Sequence, residues 1–268
     1  MNLSILFRFY KDVEVCENRL QILKTYNPNT KIYGLYGWPL EEENIFKEKL
    51  DKHLDDFYTT PETDSFKKRI HGDLFLLDRY QQRWQNLEWD SIVVSQRDLL
   101  ALDSFENIFS GIKKDQIYLP DYGIIDKQFE NYRDRTSPEK FKKTDENDPE
   151  KPHMRKCFLD FKQYIKEKYW YNKLLPYCIF MVAVLPKLFF EKYQTVENIE
   201  LWFLEYKIPT YCEIFDIERY EKDLGEHNRS FPMNAMGIEI TKEDIEKEIK
   251  KTNGRKMFHP YHQIYDIK

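Results

Sequence analysis

An open α/β sheet gathers its ligands at the carboxyl ends of its strands, so a carboxylate placed just beyond an apolar strand is a candidate for chemistry. The segment Trp89-Asp90-Ser91-Ile92-Val93-Val94-Ser95-Gln96-Arg97-Asp98 has this form. Its apolar middle suits a central strand covered on both faces. Asp98 then either caps the following turn or faces a nucleotide diphosphate. In the second case the contact is direct or runs through an oxygen-coordinated Mg²⁺ or Mn²⁺, the kind of ion a hard carboxylate binds. Arg97 brings positive charge to the same turn. Arg8 and Tyr10, polar residues leaving the first strand, are candidates to meet a phosphate and to stack on a ring.

The flanking elements read as alternating strands and helices. Leu3, Ile5, Phe7 and Phe9 alternate with Ser4, Leu6, Arg8 and Tyr10, which is the period of a strand. Asp12 is placed to cap a helix whose apolar positions are Val13, Cys16, Leu20 and Leu23, ended by Asn27-Pro28-Asn29. A second strand follows at Lys31 to Tyr36, then an amphipathic helix over 40–54, a helix from Asp73 to Trp84 carrying the site candidates Asp73 and Arg79, and the strand Asp90 to Val94. Strand, helix and strand joined by short links predict a right-handed crossover and a parallel sheet.

Beyond these, 126–155 is charged and poor in apolar residues, and reads as a solvated insertion or an acceptor-facing loop. Helical spacing resumes from Phe158 to Tyr171. Ile179 to Leu185 reads as a strand, Val196 to Tyr206 as a helix capped by Thr195, Pro209 to Phe215 as a short strand, and Lys242 to Lys251 as a charged helix. The expected organisation is one domain over 1–268: a nucleotide-binding half (1–125), the insertion (126–155) and an acceptor-binding half with its tail (156–268).

Composition narrows the classes. Asp and Glu number 47 against 42 Lys and Arg, a net charge of -5, which disfavours a general nucleic-acid binder. Cys16, Cys157, Cys178 and Cys212 lie far apart with no C-x-x-C pair, so core thiols in a reducing compartment are expected. The first residues lack the pattern of a secretory leader. The longest apolar stretch, Cys178 to Phe190, is too short to span a bilayer and contains Pro186 and Lys187. A cytosolic location is expected, with room for peripheral membrane contact.

The order of elements and the acidic motif at Gln96-Arg97-Asp98 resemble GT-A glycosyltransferases, nucleotide-sugar enzymes in which an Asp-x-Asp motif ends a central strand. The first Asp of that motif is Gln96 here; Asp98 matches the second. The resemblance implies a GT-A-like, Rossmann-like sheet with helices on both faces, a nucleotide-sugar donor, a glycan acceptor, and a Mn²⁺ or Mg²⁺ ion. It assigns Asp98 and His259 to the metal or diphosphate, His259 standing in Phe258-His259-Pro260. It assigns Glu197 or Glu200 to deprotonating the acceptor hydroxyl, with Glu213 behind them. A carboxylate at a helix amino end stays charged, as a base must. Arg8 and Tyr10 would meet the nucleotide, and Arg255 and Lys256 lie close to His259 in sequence. Two rival readings stand beside this one. A nucleotidyltransferase would carry a glycine-rich loop after the first strand, where Phe9-Tyr10-Lys11-Asp12 has no glycine. A non-catalytic carbohydrate-binding or scaffold protein on a transferase fold is the other.

Overall fold

The computed structural model describes residues 1–37, 39–62, 64, 67, 71–124, 154–222, 232–234 and 237–267. The insertion expected at 126–155 lies outside them up to residue 153.

Strand β1 (Leu3–Phe9) enters the sheet as its alternation predicts. Helix α1 (Val13–Tyr26) returns along one face and closes on Asn27, whose Nδ2 donates to the Leu23 carbonyl at 2.9 Å. Asp12 does not cap it: the residue sits at φ 59° and its side chain makes no bond to the helix amino end. Then come β2 (Lys31–Tyr36), α2 (Glu43–Leu50) between two 3-10 turns, and β3 (Asp56–Thr59). Helix α3 (Gly72–Arg79) runs on into a π-helical turn, Tyr80–Trp84, ahead of β4 (Ser91–Gln96). The remaining elements are β5 (Leu100–Ala101), the single turn α4 (Phe105–Ile108), β6 (Gly123–Ile124), α5 (Met154–Tyr169), β7 (Pro176–Tyr177), β8 (Val182–Pro186), α6 (Lys187–Tyr193), α7 (Leu204–Ile214), α8 (Lys242–Ile249) and β9 (Met257–Phe258).

The main sheet has the order β3-β2-β1-β4-β8. Its first four members are parallel and β8 is antiparallel to β4. The pleat sends successive β1 residues to opposite sides. Leu6 joins Trp84, Phe161, Phe190 and Tyr211 on one face, while Ile5, Phe7 and Phe9 meet Cys16, Leu20 and Phe109 on the other. Helices therefore cover both faces, as expected of a mostly parallel sheet. A third apolar group, including Ile22, Leu100, Phe258 and Tyr265, fastens the C-terminal segment to α1. All four cysteines are free. No described helix is long and apolar enough to cross a membrane.

The second half departs from the periodicity. Residues 196–203, expected as helix, are irregular, with Asn198 and Trp202 at φ 52° and 67°. The helix starts at Leu204 and runs through the stretch expected as a strand at Pro209 to Phe215. Pro209 has no N–H for the Glu205 carbonyl four residues back. That carbonyl accepts the Cys178 N–H instead, at 2.9 Å, and the Glu205 Oε1 takes the Phe180 N–H at 3.2 Å. A helix-breaking residue thus becomes a joint between α7 and the approach to β8.

Candidate functional site

The strand order reverses between β1 and β4, since β1 is followed by β2 on one side while β4 lies on the other. In open α/β sheets a ligand crevice lies at such a reversal, outside the carboxyl ends of the two strands. Arg8 and Gln96 are register partners, and the Arg97 N–H continues the ladder to the Arg8 carbonyl at 3.0 Å. One strand thus delivers Arg8, Tyr10 and Asp12, and the other Gln96, Arg97 and Asp98, to the same opening.

Arg97 is 2% exposed. Its Nη1 donates to Asp12 Oδ2 at 2.7 Å, and its guanidinium lies 5.1 Å from the centre of the half-exposed Tyr10 ring. Arg97 therefore supports the rim from below, with Tyr10 presented outward. Gln96 is directed along the edge, its Nε2 donating to the Phe180 carbonyl at 2.5 Å.

Asp98 faces His259, Oδ1 to Nε2 3.5 Å. The histidine arrives on β9, which pairs antiparallel with β5 immediately after Asp98. Its Nδ1 stands 2.8 Å from the Asn234 carbonyl, and because a carbonyl can only accept, Nδ1 is a donor in this contact, so that a hydrogen bond from the ring to Asp98 needs a proton on Nε2 as well. Nε2 is thereby aimed at Asp98. Burial on its own would raise the Asp98 carboxyl; hydrogen bonding and charge from His259, with the Arg97 guanidinium, outweigh burial and hold it down to about 2. The site therefore keeps an ionised carboxylate at any ordinary pH.

Arg8, partly exposed, is the second guanidinium at these strand ends. Among the described residues its guanidinium makes no hydrogen bond or ion pair. Burial lowers its pKa, opposed by the fields of Asp73, Asp98 and Tyr10. It lies flat against Gly72 at the start of α3, where an added Cβ would come within 3.1 Å of Nη2. The glycine is what lets the guanidinium reach the amino end of this helix.

Asp73, next to Gly72, shares this helix end with Arg8; the other candidates fall elsewhere. Asp73 is buried and receives the Tyr193 hydroxyl at 2.5 Å and the Lys207 ammonium at 2.7 Å. Lys207 also donates to the Ile199 carbonyl and lies 3.4 Å from His71 Nδ1. Burial, then the Lys207 charge, pushes the His71 ring down to about 4. Arg79 is fully buried against Asp56 at the amino end of β3, stacked over Tyr58. Lys256 lines a separate cleft of about 310 Å³ with Tyr26, Leu102, Ile249 and Tyr265. Glu197 is exposed and paired with Lys168 at 3.0 Å. Glu200 is exposed, and its charge acts on His71 and Lys207, which places it on the α3 side. Glu213 accepts from the Tyr122 and Tyr171 hydroxyls and from Lys173. Sequence reasoning missed Asp12 as an ion-pair partner, Asn234 as the residue that orients His259, and Lys207. None of the three follows from a spacing rule, because each acts on a residue far away along the chain.

Among the described residues, no group of three His, Cys, Asp or Glu side chains converges on one point. Asp98 with His259 fits only a cation that takes most of its ligands from phosphate and water, the usual habit of Mg²⁺.

The sheet order and the crevice define an open, mostly parallel α/β protein with its polar groups at the strand-order reversal. No protein-family model and no curated protein matches the sequence. Solved structures of similar outline include the galactosyltransferase LgtC in complex with donor and acceptor sugar analogs, 10% identical over 81% of this chain and 66% of that chain, TM-score 0.38. A cytidylyltransferase from Leptospira borgpetersenii is 11% identical over 83% and 77%, TM-score 0.40. The 4-diphosphocytidyl-2C-methyl-D-erythritol synthase from Anaerococcus prevotii is 15% identical over 82% and 84%, TM-score 0.42. This chain thus spans just under two thirds of the galactosyltransferase's length. The likeness is one of outline, and activity is left to the chain's own residues.

Proposed function

We propose that the chain is a glycosyltransferase that moves a sugar from a nucleotide diphosphate donor to a hydroxyl of a glycan acceptor. The observation that carries this reading is Arg8, a guanidinium unpaired among the described residues, at the strand-order reversal, laid on Gly72 at the amino end of α3 and facing an ionised Asp98. A cation at a helix amino end favours a diphosphate by charge and by free N–H groups together. Tyr10 offers its outer face to the nucleotide base. Asp98 and His259 are the residues that would hold a Mg²⁺ or Mn²⁺ ion, which when bound would neutralise phosphate charge.

In the transfer, the acceptor oxygen bonds to the anomeric carbon as the bond from that carbon to the diphosphate oxygen breaks. The nucleoside diphosphate leaves with the electron pair. The acceptor proton passes to a carboxylate, and of the two glutamates Glu200 is the better placed, being on the α3 side while Glu197 is paired with Lys168. Free thiols at Cys16, Cys157, Cys178 and Cys212 suit a reducing, cytosolic setting.

Thermal-shift measurements with UDP-, GDP-, CMP- and dTDP-sugars, with and without Mn²⁺, test the donor site. Stabilisation by a UDP-, GDP- or dTDP-sugar, with nucleoside diphosphate released on adding acceptor, is expected, and the CMP-sugars, which carry one phosphate, serve as the control. Arg8→Ala should weaken that binding by about 1.5–3 kcal/mol, the worth of a hydrogen bond to a charged group, and Gly72→Ala should do so by displacing Arg8. No response to any nucleotide would refute the reading. Pyrophosphate release from a nucleoside triphosphate would make the chain a nucleotidyltransferase, and binding without release would make it a non-catalytic binder.

A further inference from the structure

His71 stands immediately before α3, and behind its ring lies a charge network closed to water. The Lys207 ammonium, 0% exposed, has three protons and three acceptors around it: Asp73 Oδ2 at 2.7 Å, the Ile199 carbonyl at 2.8 Å and His71 Nδ1 at 3.4 Å. The Tyr193 hydroxyl completes the network on Asp73. An ammonium can only donate, and a proton on Nδ1 would set N–H against N–H. Nδ1 therefore keeps its lone pair, and the ring proton sits on Nε2. His259 is held the other way round, with Nδ1 as the donor. Burial and the Lys207 charge, with Lys67 behind them, outweigh Asp73 and Glu200 and hold the His71 ring down to about 4, so it is neutral at ordinary pH. Nε2 has no partner among the described residues, and it is not one of the polar atoms shut inside the protein without one. It is therefore open to water.

The groups beside it are donors too. Gly72, the next residue, is the one against which the Arg8 guanidinium lies. Arg8 and His71 thus flank one helix end, whose first N–H groups have no partner within the helix. The Asp73 charge is met by Lys207 at contact distance, which leaves Arg8 for a ligand. Several donors around one cation suit a ligand with several anionic oxygens, as a diphosphate has.

We propose that His71 binds a phosphate oxygen of the donor diphosphate through Nε2–H, as an uncharged donor beside Arg8. The identity of the ligand rests on the transferase reading; the tautomer does not. The test is calorimetric titration of the intact chain with inorganic pyrophosphate, UDP and GDP. In His71→Asn the amide oxygen can take the Lys207 proton where Nδ1 stood, but no donor replaces Nε2, so binding should weaken about tenfold or more with the fold retained. His71→Gln carries an amide N–H where Nε2 stood and should recover most of that loss. The ratio of the affinities of the intact chain and His71→Gln should stay constant between about pH 5 and 8, whereas an imidazolium would lose its advantage as pH rises through about 6.5. Nitrogen NMR of the unmodified chain should show His71 protonated on Nε2 and bare on Nδ1 throughout, a readout that decides even where a variant loses its fold. Weakening by Arg8→Ala with none by His71→Asn would overturn this role and leave the transferase reading standing. Pyrophosphate held through His71 with every nucleotide refused would sink that reading and keep the role. Failure to bind any of the three probes, an affinity ratio that falls with rising pH, or a proton on Nδ1 would end the proposal.

Discussion

Asp98 shows how a single side chain can be held in one charge state. Its carboxyl is drawn down to about 2 from an ordinary 3.8 by His259 and Arg97, against burial. A depressed value means that the stabilisation is present above the unfolded value, near pH 4, and is lost as pH falls through the folded one. Asp98→Asn should therefore cost about 2 kcal/mol near neutral pH. Denaturant melts from neutral pH downward should show the difference between the two proteins closing below about pH 2. A difference that persists there would mean that Asp98 stabilises through shape and not through charge. The sequence marked Asp98, Arg8, Tyr10, Arg97 and His259 by type and position, and the structure gathers all five around the same crevice. It could not tell that Arg97 lies against Tyr10 while Arg8 lies against Gly72, because the place of Arg97 depends on Asp12, a partner 85 positions away, and that of Arg8 on a glycine far along the chain.

At the scale of elements, α3 and α7 are joined by an ion pair with almost no access to water: Lys207 is 0% and Asp73 1% exposed. Removing one member leaves the other buried and uncompensated. Lys207→Met should cost about 3–5 kcal/mol, and a double-mutant cycle with Asp73→Leu should recover much of it; additive losses would mean that the two do not act as a pair. Strands β1, β2 and β4 and helix α1 were legible because their apolar residues keep one period over their whole length. Helix α7 was not, for a physical reason. Pro209 argues against a helix interior on local grounds, and only the arrival of the Cys178 N–H at the Glu205 carbonyl makes it acceptable. Glu197 and Glu200 looked like first-turn residues of a helix because apolar spacing begins at Val196. Packing of Trp202 and Phe203 into the core delays that helix to Leu204.

In the molecule as a whole, the crevice depends on the tail. Arg19, 1% exposed on α1, donates from Nη2 to the Tyr261 and Gln263 carbonyls, each at 2.8 Å, and stacks on the Tyr261 ring. Asn18 bonds Tyr265 in both directions. These contacts hold the strand that carries His259 against Asp98. Arg19→Met should orphan the buried Tyr261 carbonyl, at about 1–3 kcal/mol, and release the Gln263 carbonyl to water. It should also slacken His259, which the histidine ring resonances in NMR spectra would report as averaged shifts. Sharp, unshifted resonances would show that β5 and β9 suffice to seat the histidine.

The same strap bears on the order of synthesis. Asp98 emerges from a ribosome well before His259, and at ~5–20 residues per second the interval is on the order of ten seconds. During that time α1 and the strands around it have what they need to assemble, while the carboxylate waits without its histidine and Arg19 without its carbonyls. The pairing of Asp98 with His259 is therefore complete only after the segment bearing the histidine has emerged and wound back onto the first helix.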